Sequence, residues 1–286
     1  MNSSKIPALG VGIGWRTEIA GDILANKQYI DFVEVISEHY LNVPPEKLTQ
    51  AASLAKELPV IPHGIDLSIG TDTPVEPEYL EGLATLVDLV DAPWFSDHLC
   101  FTRVPGYNIG QLTPLQFSDE AIETVVRKTK LVTARIQRPF ALENITYQFT
   151  IPNGQMSESE FVTRVVEGAD IGLLLDVTNV YMNANNHGYD PYKFLKSIPL
   201  ERVVQLHLAG GIQDGTRWVD THSQPIHEEV FELTEFIVAH APVKGVLLER
   251  DENFPPSFQD LADELTRMRA IFQKYHPHAA AACNVH

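Results

Sequence analysis

Residues 171–177 read IGLLLDV, a nearly unbroken apolar run with one acidic residue near its end. Continuous apolar runs predict strands that are covered on both faces, because a strand with one face in water alternates apolar and polar residues. Residues 203–208 (VVQLHL) have the same character and follow farther along the chain. These two runs therefore favour strands of a buried parallel sheet.

Short runs of this kind recur along the whole chain, separated by longer polar or amphipathic stretches. We count eight, at residues 10–14, 32–36, 60–64, 94–99, 139–144, 171–177, 203–208 and 245–250. Helices are predicted between them, at residues 45–58, at 118–136, from the capping box Ser157-Glu-Ser-Glu160 to a C-terminal Gly168, from Asp190-Pro191, at 226–241 and at 257–275. This alternation predicts a parallel sheet with crossover helices.

The strand count decides between the possible α/β architectures. Eight strand–helix units without a break predict an α/β fold with a single (β/α)8 barrel of the TIM type, in one domain over residues 1–275. A doubly wound open sheet is the alternative. Residues 276–286 (HPHAAAACNVH) have neither pattern nor bulk, and we expect them to form a flexible C-terminal tail.

The composition excludes several classes of protein. With 286 residues and 44% hydrophobic content, the chain is neither disordered nor fibrous. It has 21 basic and 38 acidic residues, so its formal net charge is 21 − 38 = −17, which argues against nucleic acid and anionic membranes as partners. Cys100 and Cys283 form no disulfide framework, and no apolar stretch reaches the roughly 20 residues of a membrane span. We therefore expect a cytoplasmic protein.

Metal-binding side chains occur at the carboxyl ends of six of the eight predicted strands. In a barrel these ends meet at one mouth, where the chemistry gathers. A single histidine there would be an ordinary rim residue, and a single carboxylate would be a helix cap. Three carboxylates in a closed mouth, however, repel one another unless cations or protons neutralise them, so the set predicts metal ions. Its members are His63, His98, Glu143, Asp176, His207 and Glu249.

A further pair of ligands follows the seventh strand. Asp220 and His222 point to the same side if their segment is extended, since side chains alternate with a period of two. Four histidines and four carboxylates exceed the about four to six ligands of one ion, so two or three ions are predicted, with Glu143 as a bridge. Nitrogen and oxygen donors suit zinc, manganese or iron. His187, in a loop expected after the sixth strand, could reach a third ion.

Several motifs, taken in order, resemble a known family. They are GVGIGWR, HGIDLSIG, SDHL, LENITY, LLLDVTNVYMNA, NNHGYDP, QLHLAGG, DTHSQP and LLERDEN, and they span nearly the whole chain. The chain is similar to the DUF692 family of multinuclear non-heme iron-dependent oxidases (MNIO), which includes the methanobactin biosynthesis oxidase and the enzyme that excises a cysteine β-carbon in the 3-thiaglutamate pathway. It resembles the endonuclease IV-like zinc enzymes less closely. Three residues after Asp176 those endonucleases carry a histidine ligand, whereas this chain has Asn179, as the oxidases do.

The resemblance to the oxidases implies a set of iron ligands. A first iron would be held by His63, His98 and Glu143. Glu143 would bridge to a second iron, whose other ligands would be Asp176, His207 and Glu249. The four residues that hold the second iron are also the expected catalytic residues.

The same resemblance implies a third ion, a reaction and partners. Asp220 and His222, with His187 as a candidate, would hold the third ion, so two or three irons in mixed Fe2+ and Fe3+ states are expected. Enzymes of this family use dioxygen to modify a cysteine residue of a ribosomally synthesised precursor peptide, by β-carbon excision or oxidative rearrangement. A small partner protein usually presents the peptide. No nucleic acid or membrane partner is expected.

The residues leave alternative functions open. An endonuclease IV-like zinc phosphodiesterase could bind a phosphate with the same ligands. Three divalent ions would, however, change the net charge only to −17 + 6 = −11, which leaves no basic surface for a duplex. A metal-dependent sugar isomerase-like barrel enzyme shares the predicted fold. A non-enzymatic binding module would not need so many metal donors.

Further polar residues near the strand ends complete the candidate site. Cys100 lies two residues after His98 and is a candidate ligand, although such a cysteine is more commonly a small core residue. Side chains expected to support the ligands or to select the product are Arg16, Glu34, Glu38, Asn108, Asn144 and Arg250.

Overall fold

The structure is a computed structural model that describes residues 6–277. Residues 278–286 of the predicted tail, with Cys283, lie outside the described residues. The strands in the described part are β1 Gly10–Gly14, β2 Phe32–Ile36, β3 Val60–Gly64, β4 Phe95–His98, β5 Phe101–Val104, β6 Tyr107–Thr113, β7 Phe140–Glu143, β8 Gly172–Asp176, β9 Val203–Leu208, β10 Ile212–Asp214, β11 Arg217–Val219 and β12 Gly245–Leu248.

Eight of these strands form a closed parallel barrel, in the order β1, β2, β3, β4, β7, β8, β9 and β12. The barrel is closed between β12 and β1, where Gly10 pairs with Gly245 and Val11 with Val246. The predicted (β/α)8 barrel is confirmed, and the open doubly wound sheet is wrong. Each of the eight predicted strands corresponds to one barrel strand, with ends that differ by two residues at most.

Two antiparallel hairpins add to the barrel, and the pattern of apolar runs does not predict them. The first, β5–β6, follows β4, and the second, β10–β11, follows β9. Most of their residues are exposed or half-buried, so they lack the apolar runs that mark the barrel strands. Both follow carboxyl ends of barrel strands and therefore lie at the mouth where the predicted ligands gather.

Helices connect the barrel strands and cover the outside of the barrel. In the described part they are α1 Ala20–Ala25, α2 Pro45–Leu54, α3 Pro77–Leu89, α4 Asp119–Arg135, α5 Glu158–Ala169, α6 Val177–His187, α7 Pro191–Ser197, α8 Glu228–His240 and α9 Phe258–Tyr275. The predicted helix starts are confirmed where a cap residue marks them. The side-chain oxygens of Ser118, Ser157, Asp190 and Ser257 each accept a backbone N–H of the first turn.

Two predicted helix ends are wrong. The helix expected to run to residue 58 ends at Leu54, and a turn leads from there to β3. Gly168 is not a C-terminal glycine, because α5 continues past it to Ala169. Asp170 ends the helix instead, with a left-handed φ of 54°. Aspartate tolerates this conformation better than most residues, and it can therefore replace glycine here.

Apolar side chains plug the end of the barrel opposite the mouth. The plug consists of Ile6, Phe32, Ile61, Trp94, Val204 and Leu247. Glycines on two neighbouring strands give its aromatic rings room, since a Cβ on Gly12 would lie 2.6 Å from the Phe32 ring and one on Gly245 would lie 2.9 Å from it. The polar strand ends therefore lie at the end of the barrel away from this plug. Among the described residues, no helix is long and apolar enough to cross a membrane.

Candidate metal centre

The barrel register brings the predicted strand-end residues together. His98 and Glu143 are paired across β4 and β7, and Asp176 and His207 are paired across β8 and β9. His63 lies one residue before the end of β3, and Glu249 follows directly on β12. The side chains are buried or nearly so, with Asp176 and His207 both 0% exposed. The sequence places them correctly because strand ends in a barrel share one mouth.

The first cluster consists of His63, His98 and Glu143. The Nε2 atoms of the two histidines lie 3.2 and 3.5 Å from Glu143 Oε2, and 3.4 Å from each other. Two nitrogens bound at about 2.1 Å to one tetrahedral ion are about 3.4 Å apart. The three donor atoms are therefore spaced as ligands of one ion.

Glu143 extends from this cluster to a second one. Its other oxygen, Oε1, lies 3.3 Å from Nδ1 of His207, and Glu143, Asp176 and His207 form a cluster of potential ligands. Asp176 caps helix α6 with Oδ1, which accepts the Asn179 N–H at 2.6 Å. Its Oδ2 atom is left free of hydrogen bonds. Glu143 is thus placed to bridge two positions, as the sequence predicts.

A third cluster lies closer to the mouth and consists of Asp176, His222 and Glu249. Glu249 Oε2 is 3.2 Å from Nδ1 of His207 and 3.6 Å from Nδ1 of His222, so this carboxylate stands between the second and third clusters. Asp220 Oδ1 lies 2.8 Å from His222 Nε2. The two residues meet as predicted, although their segment is not extended, since His222 has a φ of 47°.

Each of the four histidines has one ring nitrogen held by the protein. The partner is Ser96 Oγ for His63, Gly64 O for His98, Glu34 Oε2 for His207 and Asp251 Oδ2 for His222, at 2.8, 2.9, 3.1 and 3.1 Å. The other nitrogen of each ring points to the clusters. Such contacts fix the tautomer and the ring orientation of metal-binding histidines.

Glu34 and Gln205 support His207 from within the barrel. Gln205 Nε2 donates to Glu34 Oε2 at 2.6 Å and lies 2.9 Å from His207 Nε2. The amide oxygen of Gln205 accepts the indole N–H of Trp94, also at 2.6 Å. His207 therefore presents Nδ1 to the clusters, whereas the other three histidines present Nε2.

The buried atoms without hydrogen bonds test whether the site fits metal ions. Buried polar atoms almost always have partners, and each exception calls for an explanation such as an ion. Among the described residues, five such atoms belong to the predicted ligands: Glu143 Oε2, Asp176 Oδ2, His207 Nδ1, Asp220 Oδ1 and His222 Nε2. Divalent cations would satisfy all five, so the donor set fits a multinuclear metal centre.

The pKa values of the ligands reflect their crowding. Burial, together with two neighbouring histidines, lowers the pKa of His63 well below its ordinary value, so its ring is neutral and can donate a lone pair. Burial would also lower the pKa of His207, but the carboxylates around it, Glu34 above all, raise it well above the ordinary value. Burial and the nearby Glu143 raise the pKa of Asp176. Protons and cations thus compete for the same carboxylates.

Arg16, which follows β1, places a positive charge beside the third cluster. Its Nη2 lies 3.3 Å from Glu249 Oε1 and 2.6 Å from Asp251 Oδ1, and its side chain is only 12% exposed. Asp251 also holds Nδ1 of His222. No sequence motif assigns a role to Asp251, although its position two residues after the candidate ligand Glu249 is a signal.

His187 does not join the other predicted ligands. It is the last residue of α6 rather than part of a loop, so the predicted loop is wrong. Asp176 caps the start of the same 11-residue helix, and at about 1.5 Å per residue the two lie roughly 16 Å apart along the axis. Its Nε2 atom bonds to Tyr147 O at 2.9 Å, and among the described residues no ligand cluster includes it.

The remaining candidates have structural partners. Asn144 exchanges two hydrogen bonds with the backbone of Asp176, and Cys100 is fully buried. Asn179 donates to Asn144 O at 3.0 Å and accepts from the Thr146 hydroxyl, so both ends of its amide have a protein partner. Glu38, Asn108 and Arg250 bond to Tyr79, Asp66 and Glu264.

Comparisons with known proteins agree with this architecture. The family described as "RiPP precursor modification enzyme MbnB/TglH/ChrH" matches residues 10–273. A UPF0276 protein of Caulobacter vibrioides is 37% identical over 265 residues, which is 92% of this chain and 94% of the relative.

Two solved structures share the fold at low identity. The 3-keto-D-glucoside 4-epimerase YcjR from E. coli has a TM-score of 0.59 at 16% identity, covering 92% of this chain and 99% of its own. Endonuclease IV from Thermus thermophilus has a TM-score of 0.52 at 17% identity, covering 93% of this chain and 99% of its own. These likenesses show a TIM barrel and nothing about the reaction. The match over residues 10–273, by contrast, establishes the family: the chain belongs to the MbnB/TglH/ChrH family of enzymes that modify RiPP precursor peptides.

Proposed function

We propose that this protein is a multinuclear non-heme iron oxidase that uses dioxygen to modify a cysteine residue of a ribosomally synthesised precursor peptide. The described residues form four groups of potential ligands, one of which consists of Glu34, His63 and His207. The observation that carries the proposal is the row made by the other three, which are joined by shared carboxylates at the barrel mouth. Family membership supplies the peptide as the class of substrate. Iron, dioxygen and the cysteine are the parts that require experiment.

The proposed ligands follow the three clusters. His63, His98 and Glu143 would hold the first ion, and Glu143 would share the second with Asp176, His207 and Glu249. The third would lie among Asp176, Asp220, His222 and Glu249. We leave His187 out of the proposed set, because three turns of helix separate it from Asp176.

Iron would supply two kinds of chemistry, binding of a cysteine thiolate and activation of dioxygen beside it. The protein's own contribution is orientation and exclusion of water. The partners of the second ring nitrogens keep the donor atoms of the histidines aimed at the clusters. The apolar plug closes the other end of the barrel, so a peptide laid over the mouth would shield the centre from water.

Exposed apolar side chains around the mouth support a peptide and a small partner protein as binding partners. Val104 is 41% exposed and Tyr107 67% exposed on the first hairpin, and Ile212 is 40% exposed on the second. Phe149, in the segment after β7, is 58% exposed. The segments that carry these side chains all follow carboxyl ends of barrel strands, and exposed apolar residues on one side of a protein are typical of a surface that binds other chains.

The decisive experiment combines metal analysis with a peptide assay. Protein purified without oxygen should contain two or three irons, and it should consume oxygen only when a cysteine-containing precursor peptide is added. Mass spectrometry should then show a mass change that is lost when the peptide cysteine is replaced by serine. Glu143→Gln should abolish the change, whereas Glu160→Gln, on the exposed face of α5, should not. Stoichiometric zinc, with activity that does not respond to iron, would overturn the proposal.

The same assay separates the alternatives that share this fold. Asn179 stands where the endonucleases carry a ligand, and its amide is engaged in hydrogen bonds to Asn144 and Thr146. The net charge of −17 also disfavours a DNA duplex. Cleavage of DNA at an abasic site would favour the phosphodiesterase, and turnover of a free sugar would favour the isomerase.

A further inference from the structure

Arg16 shares its two carboxylate partners with His222 of the third cluster. Its guanidinium contacts Glu249 Oε1 and Asp251 Oδ1, while Glu249 Oε2 and Asp251 Oδ2 face Nδ1 of His222 at 3.6 and 3.1 Å. Each carboxylate thus has one oxygen toward the arginine and the other toward the histidine. The positive charge and the proposed third ion therefore share the carboxylate of Glu249, and Asp251 connects the arginine to the proposed ligand His222.

The second position shares Glu249 with the third and therefore also neighbours Arg16, but in the described part of the chain the other two carboxylates of the first two clusters have no such neighbour. Among the described residues, no lysine or arginine forms an ion pair with Glu143 or Asp176, and the ion pairs of Glu143 are all with histidines. Arginine stays charged at any pH at which the protein is folded. A fixed positive charge against a ligand carboxylate repels a cation and reduces the negative potential that attracts it.

We propose that Arg16 acts as a built-in competitor for the third cation, so that this position is the weakest of the three and fills only when free metal is abundant. The inference rests on the proposed function in so far as the clusters hold metal ions. It concerns which ion is lost first, and it does not depend on the reaction that the centre catalyses.

Metal titration of charge variants tests the inference without an activity assay. Wild-type protein and Arg16→Gln are dialysed anaerobically against graded Fe(II), and bound iron is measured by elemental analysis. Arg16→Gln should bind the last ion about tenfold more tightly, as expected for removal of a partly solvated neighbouring charge. The second ion, which shares Glu249, should gain less, and the first ion least. Arg16→Lys, which keeps the charge, should stay within about threefold of wild type. Arg138→Gln, which removes a surface charge paired with Asp91, should have no effect.

The outcomes separate this inference from the proposed function. Unchanged or weaker binding of the last ion in a folded Arg16→Gln protein would overturn the inference alone, since it would mean that Arg16 only holds the carboxylates in place. Equal tightening of every ion, or the same gain in Arg16→Lys or Arg138→Gln, would also overturn it. A wild-type protein that binds no iron would instead refute the proposed function, and the inference with it.

Discussion

Gly64→Ala probes the backbone that orients a proposed metal ligand. Gly64 ends β3, and its carbonyl oxygen lies 2.9 Å from His98 Nδ1. A Cβ at this position would lie 2.2 Å from Asp97 Oδ2 and 3.0 Å from the Tyr79 hydroxyl. The first distance is far below any normal contact, so either the strand end or Asp97 must move.

The loss of stability depends on the hydrogen bonds that hold Asp97 in place. This carboxylate is 0% exposed, and it accepts hydrogen bonds from His98 N at 2.7 Å and from Leu67 N at 3.3 Å. Burial raises the pKa of Asp97 well above its ordinary value, so the relevant cost is that of leaving buried hydrogen-bonding groups without partners. That cost is about 1–3 kcal/mol for each group, and relaxation recovers part of the loss. We therefore expect Gly64→Ala to lower the free energy of unfolding by about 3 kcal/mol, which corresponds to roughly 6–12 °C in Tm.

Two measurements check this expectation. Thermal unfolding followed by circular dichroism gives the loss of stability. Anaerobic dialysis against Fe(II) gives the metal affinity, which should fall about 10–100-fold if the carbonyl that orients His98 shifts. Gly21→Ala is the matched control, because nothing lies within 4 Å of a Cβ there and alanine is favoured over glycine in helix α1 by up to about 1 kcal/mol.

The reasoning fails if Gly64→Ala melts within about 2 °C of wild type and binds iron equally well, since the contact with Asp97 would then be harmless. A double variant gives a further check. In an Asp97→Ala background the clash is gone, so Gly64→Ala should cost less there than it does in the wild type.

Three further predictions concern the centre and its surroundings. Glu34→Gln should weaken metal binding about 10–100-fold, because His207 Nε2 loses its carboxylate partner. Competition with a chelator measures this affinity, and an unchanged affinity would show that Gln205 alone orients the ring. Burial raises the pKa of Glu158 from 4.5 to about 7, so the folded state binds the proton more tightly than the unfolded state. The stabilisation from this proton is complete below about pH 4.5 and is lost as pH rises through about 7. In denaturant titrations, the free energy of unfolding of Glu158→Gln should therefore rise relative to wild type by up to about 3 kcal/mol across this window. A difference between the two proteins that does not vary with pH would contradict the assignment. Removal of metal by an anaerobic chelator should lower Tm by several degrees, because the ions bind only the folded state, and Fe(II) should restore it; an unchanged Tm would mean that the clusters hold no ion.

The barrel strands could be predicted closely, and the physical reason is that burial on both faces leaves a clear mark in the sequence. The bounds of β3, VIPHG, are the predicted ones, and β8 differs by one residue at each end. The hairpins were missed because they lie on the surface, where no apolar run is required. Asp170 was missed because a left-handed helix end is usually marked by glycine.

The clustering of the candidate ligands could also be predicted from the sequence, because the strand ends of a barrel share one mouth, whereas their role as metal ligands stays a prediction. The hydrogen-bond partners of these residues were harder to predict from the sequence. Asp251 and Ser96 act through hydrogen bonds to ring nitrogens, and the direction of a ring is set by tertiary contacts that no spacing rule encodes. His187 shows the opposite error, because the residues before it read as a loop while they form a helix that carries it away from the mouth.

Trp94 is linked to the candidate metal centre through hydrogen bonds and can serve as a spectroscopic probe of it. Its indole N–H donates to Gln205, and the amide of Gln205 reaches both Glu34 and His207. A change in the charge carried by the His207 ring therefore alters the strength of the indole hydrogen bond through a single intervening side chain. Because the absorption of a buried indole responds to its hydrogen bond, we expect metal binding at His207 to change the ultraviolet difference spectrum of the protein, and we expect Trp94→Phe to remove that change.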